Sequence, residues 1–178
     1  EKEAATLLIG RGCKLISQHA DSMGAPTACE SAGVPNVSYN GSTLDACPNT
    51  FIVSSRINWV PYMKYMIECV RDNKAIDTDW CKGINEGAVE LTPINEKVAA
   101  PGTAEAIKAA EEQFKAGTLH VFDTSTFTVG GKTLTSYMAD VDTDEKFTPD
   151  TEVISNGYFH ESEKRSAPYF DVNIDGIT

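Results

Sequence analysis

The sequence predicts an α/β fold built on a parallel sheet flanked by helices. Three observations carry this. The short apolar runs at Cys13–Ser17, Val34–Tyr39 and Thr50–Ser54 are continuous rather than alternating, as strands covered on both faces are. A helical segment stands between the first two runs. Glycines close three of the helical segments, at Gly10 and Gly12, at Gly33 and at Gly117.

Each element follows from local chemistry. Ala4, Ala5, Leu8 and Ile9 have helical spacing, and Gly10 and Gly12 end that helix. Cys13–Ser17 reads as the first strand, and a short helix at about Ser22–Ala32 ends at Gly33. Val34–Tyr39 is the second strand, broken by Asn40-Gly41, and Thr50–Ser54 is the third. A longer helix from about Trp59 to Asn73 has Pro61 in its first turn, where a missing N–H costs nothing, and an apolar stripe of Met63, Met66, Ile67 and Val70. Ala88–Leu91 is a further strand candidate. Thr103 starts a helix that runs to Ala116 and stops at Gly117. Leu119–Phe122 and Phe127–Val129 read as β-like, with Gly130-Gly131 forming a tight turn. From about Ser136 the chain is rich in Asp, Thr, Ser and Pro and predicts an extended, mostly irregular C-terminal arm.

The 178 residues suit one domain or slightly more and can bury a core without disulfide staples. The formal net charge of -11 argues against nucleic acid as a partner, because phosphate contacts need clustered Lys and Arg. No stretch approaches the roughly 18 consecutive apolar residues of a membrane span. Glu1–Gly10 has no cleavage-site pattern, so the visible start is expected to be mature or truncated. Cys13, Cys29, Cys47, Cys69 and Cys81 form no C-x-x-C pair and are expected to be mostly buried free thiols, with a disulfide possible only in an oxidising compartment.

The short motifs favour plain readings. Gly10-Arg11-Gly12 closes a helix, whereas a dinucleotide fingerprint would open one. Asp140, Asp142 and Asp144 have the spacing of an EF-hand start, but Glu145 and Thr151 stand where glycine and glutamate are required, so a solvated acidic turn is expected. His19, His120 and His160 lie in no metal or nucleophile pattern, and no G-x-S-x-G is present. The sequence thus predicts no enzyme, no cofactor and no metal.

What remains is a set of polar residues at strand ends. Asp21 and Ser22 follow the first strand, Asn40 the second, and Arg56, Asn58 and Trp59 the third. In open parallel sheets ligands bind outside the carboxyl ends of the strands, so Asp21, Ser22, Asn40, Asn58 and Trp59 are the candidate ligand-binding residues. The competing reading has Asp21 and Ser22 capping the next helix and Trp59 in the core.

Several segments together resemble one family. Leu15-Ile16-Ser17-Gln18-His19-Ala20-Asp21-Ser22 looks like its strand and ligand loop. Ser54 to Tyr62, with Asn58, Trp59, Pro61 and Tyr62, is similar to its hinge and helix start. Gly83 to Leu91 resembles its glycine-punctuated strand, and Gly117-Thr118-Leu119-His120-Val121-Phe122 its exit from the next helix. The family is that of the basic membrane protein (BMP) ABC-transporter substrate-binding lipoproteins, related to purine nucleoside receptors.

The resemblance implies a type I periplasmic-binding-protein fold of two Rossmann-like lobes. It implies a second-lobe segment at 1–55, a hinge and first-lobe helix at 56–79, a return to the second lobe at 80–135, and then the arm at 136–178. It also implies capture of a purine nucleoside or related purine, an ABC permease as partner, and an extracytoplasmic, lipid-anchored location. Asp21 and Ser22 would sit in the ligand loop, Asn40 would replace a common Asp, and Trp59 would stack on a base. The helix after Trp59 would pack on another copy or on a separate first half. The alternatives are the sensor domain of a transcription repressor, or a binding protein for a sugar or other small polar solute. A Rossmann-like enzyme fits least.

Overall fold

A computed structural model describes residues 1–142, 144–164 and 172–176. The chain forms two compact units, Glu1–Glu111 and Glu112–Thr178.

The first unit begins with α1 (Lys2–Gly10), β1 (Ile16–Ser17), α2 (Gly24–Ala32), β2 (Asn36–Tyr39) and β3 (Phe51–Ile57). It continues with α3 (Val60–Arg71), β4 (Val89–Leu91) and the first part of α4 (Thr103–Ala116), a helix that runs on past Glu111 into the second unit. Gly33 ends α2 in the left-handed conformation, φ 67°, which glycine adopts without a Cβ penalty. The sheet order is β1-β2-β3-β4. The first three strands are parallel, but β4 pairs antiparallel to β3, Ile57 facing Val89, so the sheet is mixed.

Pairing register sorts the side chains by face. Ile16, Asn36 and Phe51 share one row, Ser38 and Ser54 another on the same side, and all five are buried. α1 and α2 cover this side through a core of Ala5, Ile16, Ala25, Ala28 and Cys29. The crossover between β2 and β3 covers the rest with hydrogen bonds: Asn36 Nδ2 donates to Thr50 Oγ1 at 3.0 Å, and the Ser38 and Thr43 hydroxyls lie 3.1 Å apart. Glu30 on α2 accepts from Asn49 Nδ2 at 2.5 Å and from Thr50 Oγ1 at 2.9 Å, tying helix to crossover. The opposite side, Val37, Tyr39, Val53 and Ser55, is half-buried rather than fully buried.

α3 leaves the sheet. Its inner side meets the segment that follows it: the Asp77 N–H donates to the Tyr65 hydroxyl at 2.8 Å, and Trp80 lies against Tyr62 and Tyr65. Its outer stripe is open, with Ile67 68% and Val70 72% exposed. All five cysteines are free thiols; Cys29, Cys47 and Cys69 are buried, Cys13 is half-buried and Cys81 is exposed. Burial pushes the Cys29 thiol up, and the neighbouring Cys47 adds to the shift.

In the second unit Leu119–Phe122 and Phe127–Val129 are not strands. Phe122 and Phe127 instead turn inward onto a core of Ala139, Val153, Ile154 and Phe159. The segment expected to be a mostly irregular arm supplies most of that core. It forms two small antiparallel pairs, β5 (Met138–Ala139) with β6 (Thr151–Glu152) and β7 (Ile154–Ser155) with β8 (Tyr158–Phe159), then α5 (Glu161–Lys164). Composition misled here because the few apolar residues are spread out and meet only on folding. The predicted Gly130-Gly131 turn is present as a bridge between Val129 and Lys132. Both glycines have positive φ, and their N–H groups bond the Asp175 carboxylate at 3.1 and 2.8 Å, as does the Thr128 hydroxyl at 2.6 Å. These bonds, led by Thr128, hold the Asp175 carboxyl below its usual range. The remainder of the expected arm, 165–171 and 177–178, lies outside the described residues.

Candidate functional site

A cleft of about 380 Å³ opens at the carboxyl ends of β1 and β2. Its wall comes from two segments, Gln18 with Ala20 to Met23 after β1, and Tyr39 to Thr43 at the end of β2. The strands are parallel neighbours, so their exits fall side by side, and both following segments must turn there to enter their crossovers.

Asp21 and Asn40 meet in this cleft, with Asn40 Nδ2 3.4 Å from Asp21 Oδ1. Asn40 has φ 68°, a left-handed conformation that asparagine tolerates better than most residues. The strained backbone sits where the chain leaves β2, and it turns the carboxamide toward the exit of β1. Ser22 is divided between roles. Its hydroxyl accepts from the Gly24 N–H at 3.2 Å at the start of α2 and also bonds the Glu1 carboxylate. Ser22 thus forms a turn bond into α2, whose N-cap is Met23 without a side-chain cap bond, whereas Asp21 accepts its bond from Asn40 across the cleft. Gln18 lines the cleft too, and its Oε1 is buried without a hydrogen-bond partner among the described residues.

Asn58 and Trp59 do not line this cleft. β3 runs to Ile57, past the predicted end at Ser54, and its last residues pair with β4. Tyr39 is paired with Ser55, so Ile57 lies roughly 7 Å farther along the strand at about 3.3 Å per residue. Asn58 serves the start of α3, its Oδ1 accepting from the Val60 N–H at 3.1 Å. Arg56 pairs with Glu90 across β3 and β4, Nε to Oε1 2.6 Å. Trp59, 57% exposed, lines a groove of about 450 Å³ along α3 with Val60, Met63, Lys64, Ile67, Glu68 and Arg71. Its ring meets the edge of Tyr62 at 6.4 Å.

The residue that the sequence reading missed is Tyr39. It lines the cleft, and its ring is stacked on His19 with centroids 4.0 Å apart and planes 15° apart. Its position directly before Asn40 at a strand end was a usable signal, but period-2 patterning gives no ground for preferring it to Trp59.

Among the described residues no group of three or more His, Cys, Asp or Glu side chains is placed to hold a metal ion. Asp142 and Asp144 accept backbone N–H groups in tight turns at 2.8 and 2.7 Å. Burial, then the charges of Asp142, Asp144 and Asp150, raise the Asp140 carboxyl. No helix among the described residues is long and apolar enough to cross a membrane.

A solved structure sets this geometry in context. The chain is similar to an ABC transporter solute-binding protein from Conexibacter woesei DSM 14684, with a TM-score of 0.53 at 21% identity. The fold resembles that of a solute-binding protein. The match covers 67% of this chain and 41% of that one, so the chain spans less than half the length of its neighbour. The sequence matches no protein-family model, and no curated protein matches it.

Proposed function

We propose that this chain is part of the solute-capturing component of an ABC importer, and that its cleft holds a purine nucleoside or related purine without altering it. The carrying observation is the meeting of Asp21 and Asn40 from two adjacent parallel strand ends in one cleft, the position where open α/β sheets bind ligands. The likeness to an ABC transporter solute-binding protein supports the importer half of the reading. The quoted sequence likeness to the BMP lipoproteins supports the purine half, together with a type I two-lobed arrangement.

The energetics favour a shared site. A hydrogen bond to a charged group contributes about 1.5–3 kcal/mol, and an aromatic stack contributes about 1–3 kcal/mol. Micromolar capture needs about 8 kcal/mol after ordering costs. One lobe therefore binds weakly, and a second lobe closing over the cleft supplies the rest. In this reading the open stripe of α3 is where the first half, or another copy of the chain, packs. The bound form would be read by a membrane permease from an extracytoplasmic, lipid-anchored position.

The test is an NMR titration of the chain with adenosine, guanosine, inosine, adenine, ribose and glucose. The expected result is shift changes at Asp21 and Asn40 with the nucleosides. Response to sugars alone would replace the purine by a sugar, and release of free base from a nucleoside would make the chain an enzyme.

A further inference from the structure

Among the described residues lining the cleft, Tyr39 is the one aromatic ring and Asp21 the one charged side chain. The Tyr39 ring is stacked on the His19 imidazole, 4.0 Å away and nearly parallel. That contact takes one face of the ring and fixes its plane, so a ligand meets a ring already held in position. The opposite face or the edge is what remains for a flat ligand. Asp21 supplies carboxylate oxygens that accept hydrogen bonds, and no Lys or Arg stands in the wall beside it. An anionic ligand would meet that charge uncompensated, inside a chain of formal net charge -11.

We infer that Tyr39 is the ring-recognition residue of the cleft and His19 its positioning residue, and that with Asp21 they select an uncharged nucleoside over its monophosphate. The inference rests on the nucleoside reading of the cleft and assigns the stacking role to Tyr39 rather than Trp59. Asp21 takes donors such as a hydroxyl or amino group, while Tyr39 takes the planar ring. A phosphate would add negative charge beside Asp21 with nothing to offset it.

The experiment is a set of NMR titrations on the full chain with adenosine, adenine, ribose and adenosine monophosphate. The proteins are wild type, Tyr39→Ala, Tyr39→Phe and His19→Ala, each checked for an unchanged melting temperature. Tyr39→Ala is expected to weaken adenosine and adenine alike by about tenfold or more, while any ribose response is unaffected. Tyr39→Phe keeps the wild-type affinity within about threefold, because the ring remains. His19→Ala falls between them. Adenosine monophosphate binds at least about tenfold more weakly than adenosine at low salt, and the gap narrows as salt is added. A Tyr39→Ala protein that binds adenine as wild type does overturns the inference and leaves nucleoside capture standing. No response of the wild type to adenosine or adenine overturns both. Equal affinity for nucleoside and monophosphate overturns the charge selection alone.

Discussion

The cleft at the ends of β1 and β2 and the groove along α3 are concave surfaces of similar volume and opposite chemistry. The cleft offers a carboxylate, carboxamides, hydroxyls and one ring from two strand exits. The groove offers Trp59, Val60, Met63 and Ile67, with charges at Lys64, Glu68 and Arg71. Polar groups converging from separate segments can surround a small solute and fix its orientation. An apolar stripe on a single helix fits another protein surface instead. The contrast shows that residue type alone is a poor guide to location. Trp59 is chemically suited to a flat ligand and lies on the groove, while the less conspicuous Tyr39 lies in the cleft.

The comparison breaks most severely if the layer beneath the sheet is removed. Phe51 begins β3 and is fully buried. Phe51→Ala is expected to cost about 3–5 kcal/mol in urea unfolding, and to disorder the cleft; a cost near zero would mean that β3 does not depend on its buried row. Next in size, Asp21→Ala should weaken nucleoside binding by about tenfold or more with the melting temperature unchanged. Wild-type affinity in that variant would separate Asp21 from the ligand.

On the groove, Ile67→Asp should leave the folding free energy within about 0.5 kcal/mol, because Ile67 is largely exposed. The same change should abolish any association through α3 in analytical ultracentrifugation. Association that survives it would move the contact elsewhere.

Acid gives a smaller effect on the layer below the cleft. Burial pushes the Glu30 carboxyl up, but hydrogen bonds from Asn49 and Thr50 outweigh it and hold the group below its ordinary value. A lowered carboxyl contributes stability that is fully present above the ordinary value and is lost as pH falls through the lowered one. Glu30→Gln should therefore flatten the fall of melting temperature below about pH 4.5; an unchanged acid limb would remove Glu30 from the tie between α2 and the crossover. The smallest effect is expected at Trp59. Trp59→Ala should alter affinity at the cleft by less than about twofold, since distant sites act independently. A larger loss would bring the groove back into the binding site.

Much of the fold was legible because its signals are local. Apolar spacing and glycine stops placed α1, α2, α3 and α4 within a few residues of where they lie, since a helix closes its hydrogen bonds within its own segment. The strands were legible as segments but not as partners. The antiparallel pairing of β4 and the extra length of β3 depend on residues about 34 positions apart, as in the Arg56–Glu90 pair. That unseen pairing carried Asn58 and Trp59 away from the cleft. In the second unit, Phe122 and Phe127 had strand-like neighbours but were recruited to a core whose other members lie downstream.

By itself, then, the sequence determined where helices start and stop, which strand exits carry polar groups, and that Asp21 and Asn40 stand at such exits. Only the tertiary structure decided that these two share a cleft, that Tyr39 stands beside them on His19, and that Trp59 belongs to α3. The reason is physical. Secondary structure is set by neighbours along the chain, whereas a site is set by which strands pair and in what register, and pairing joins residues that no local pattern connects.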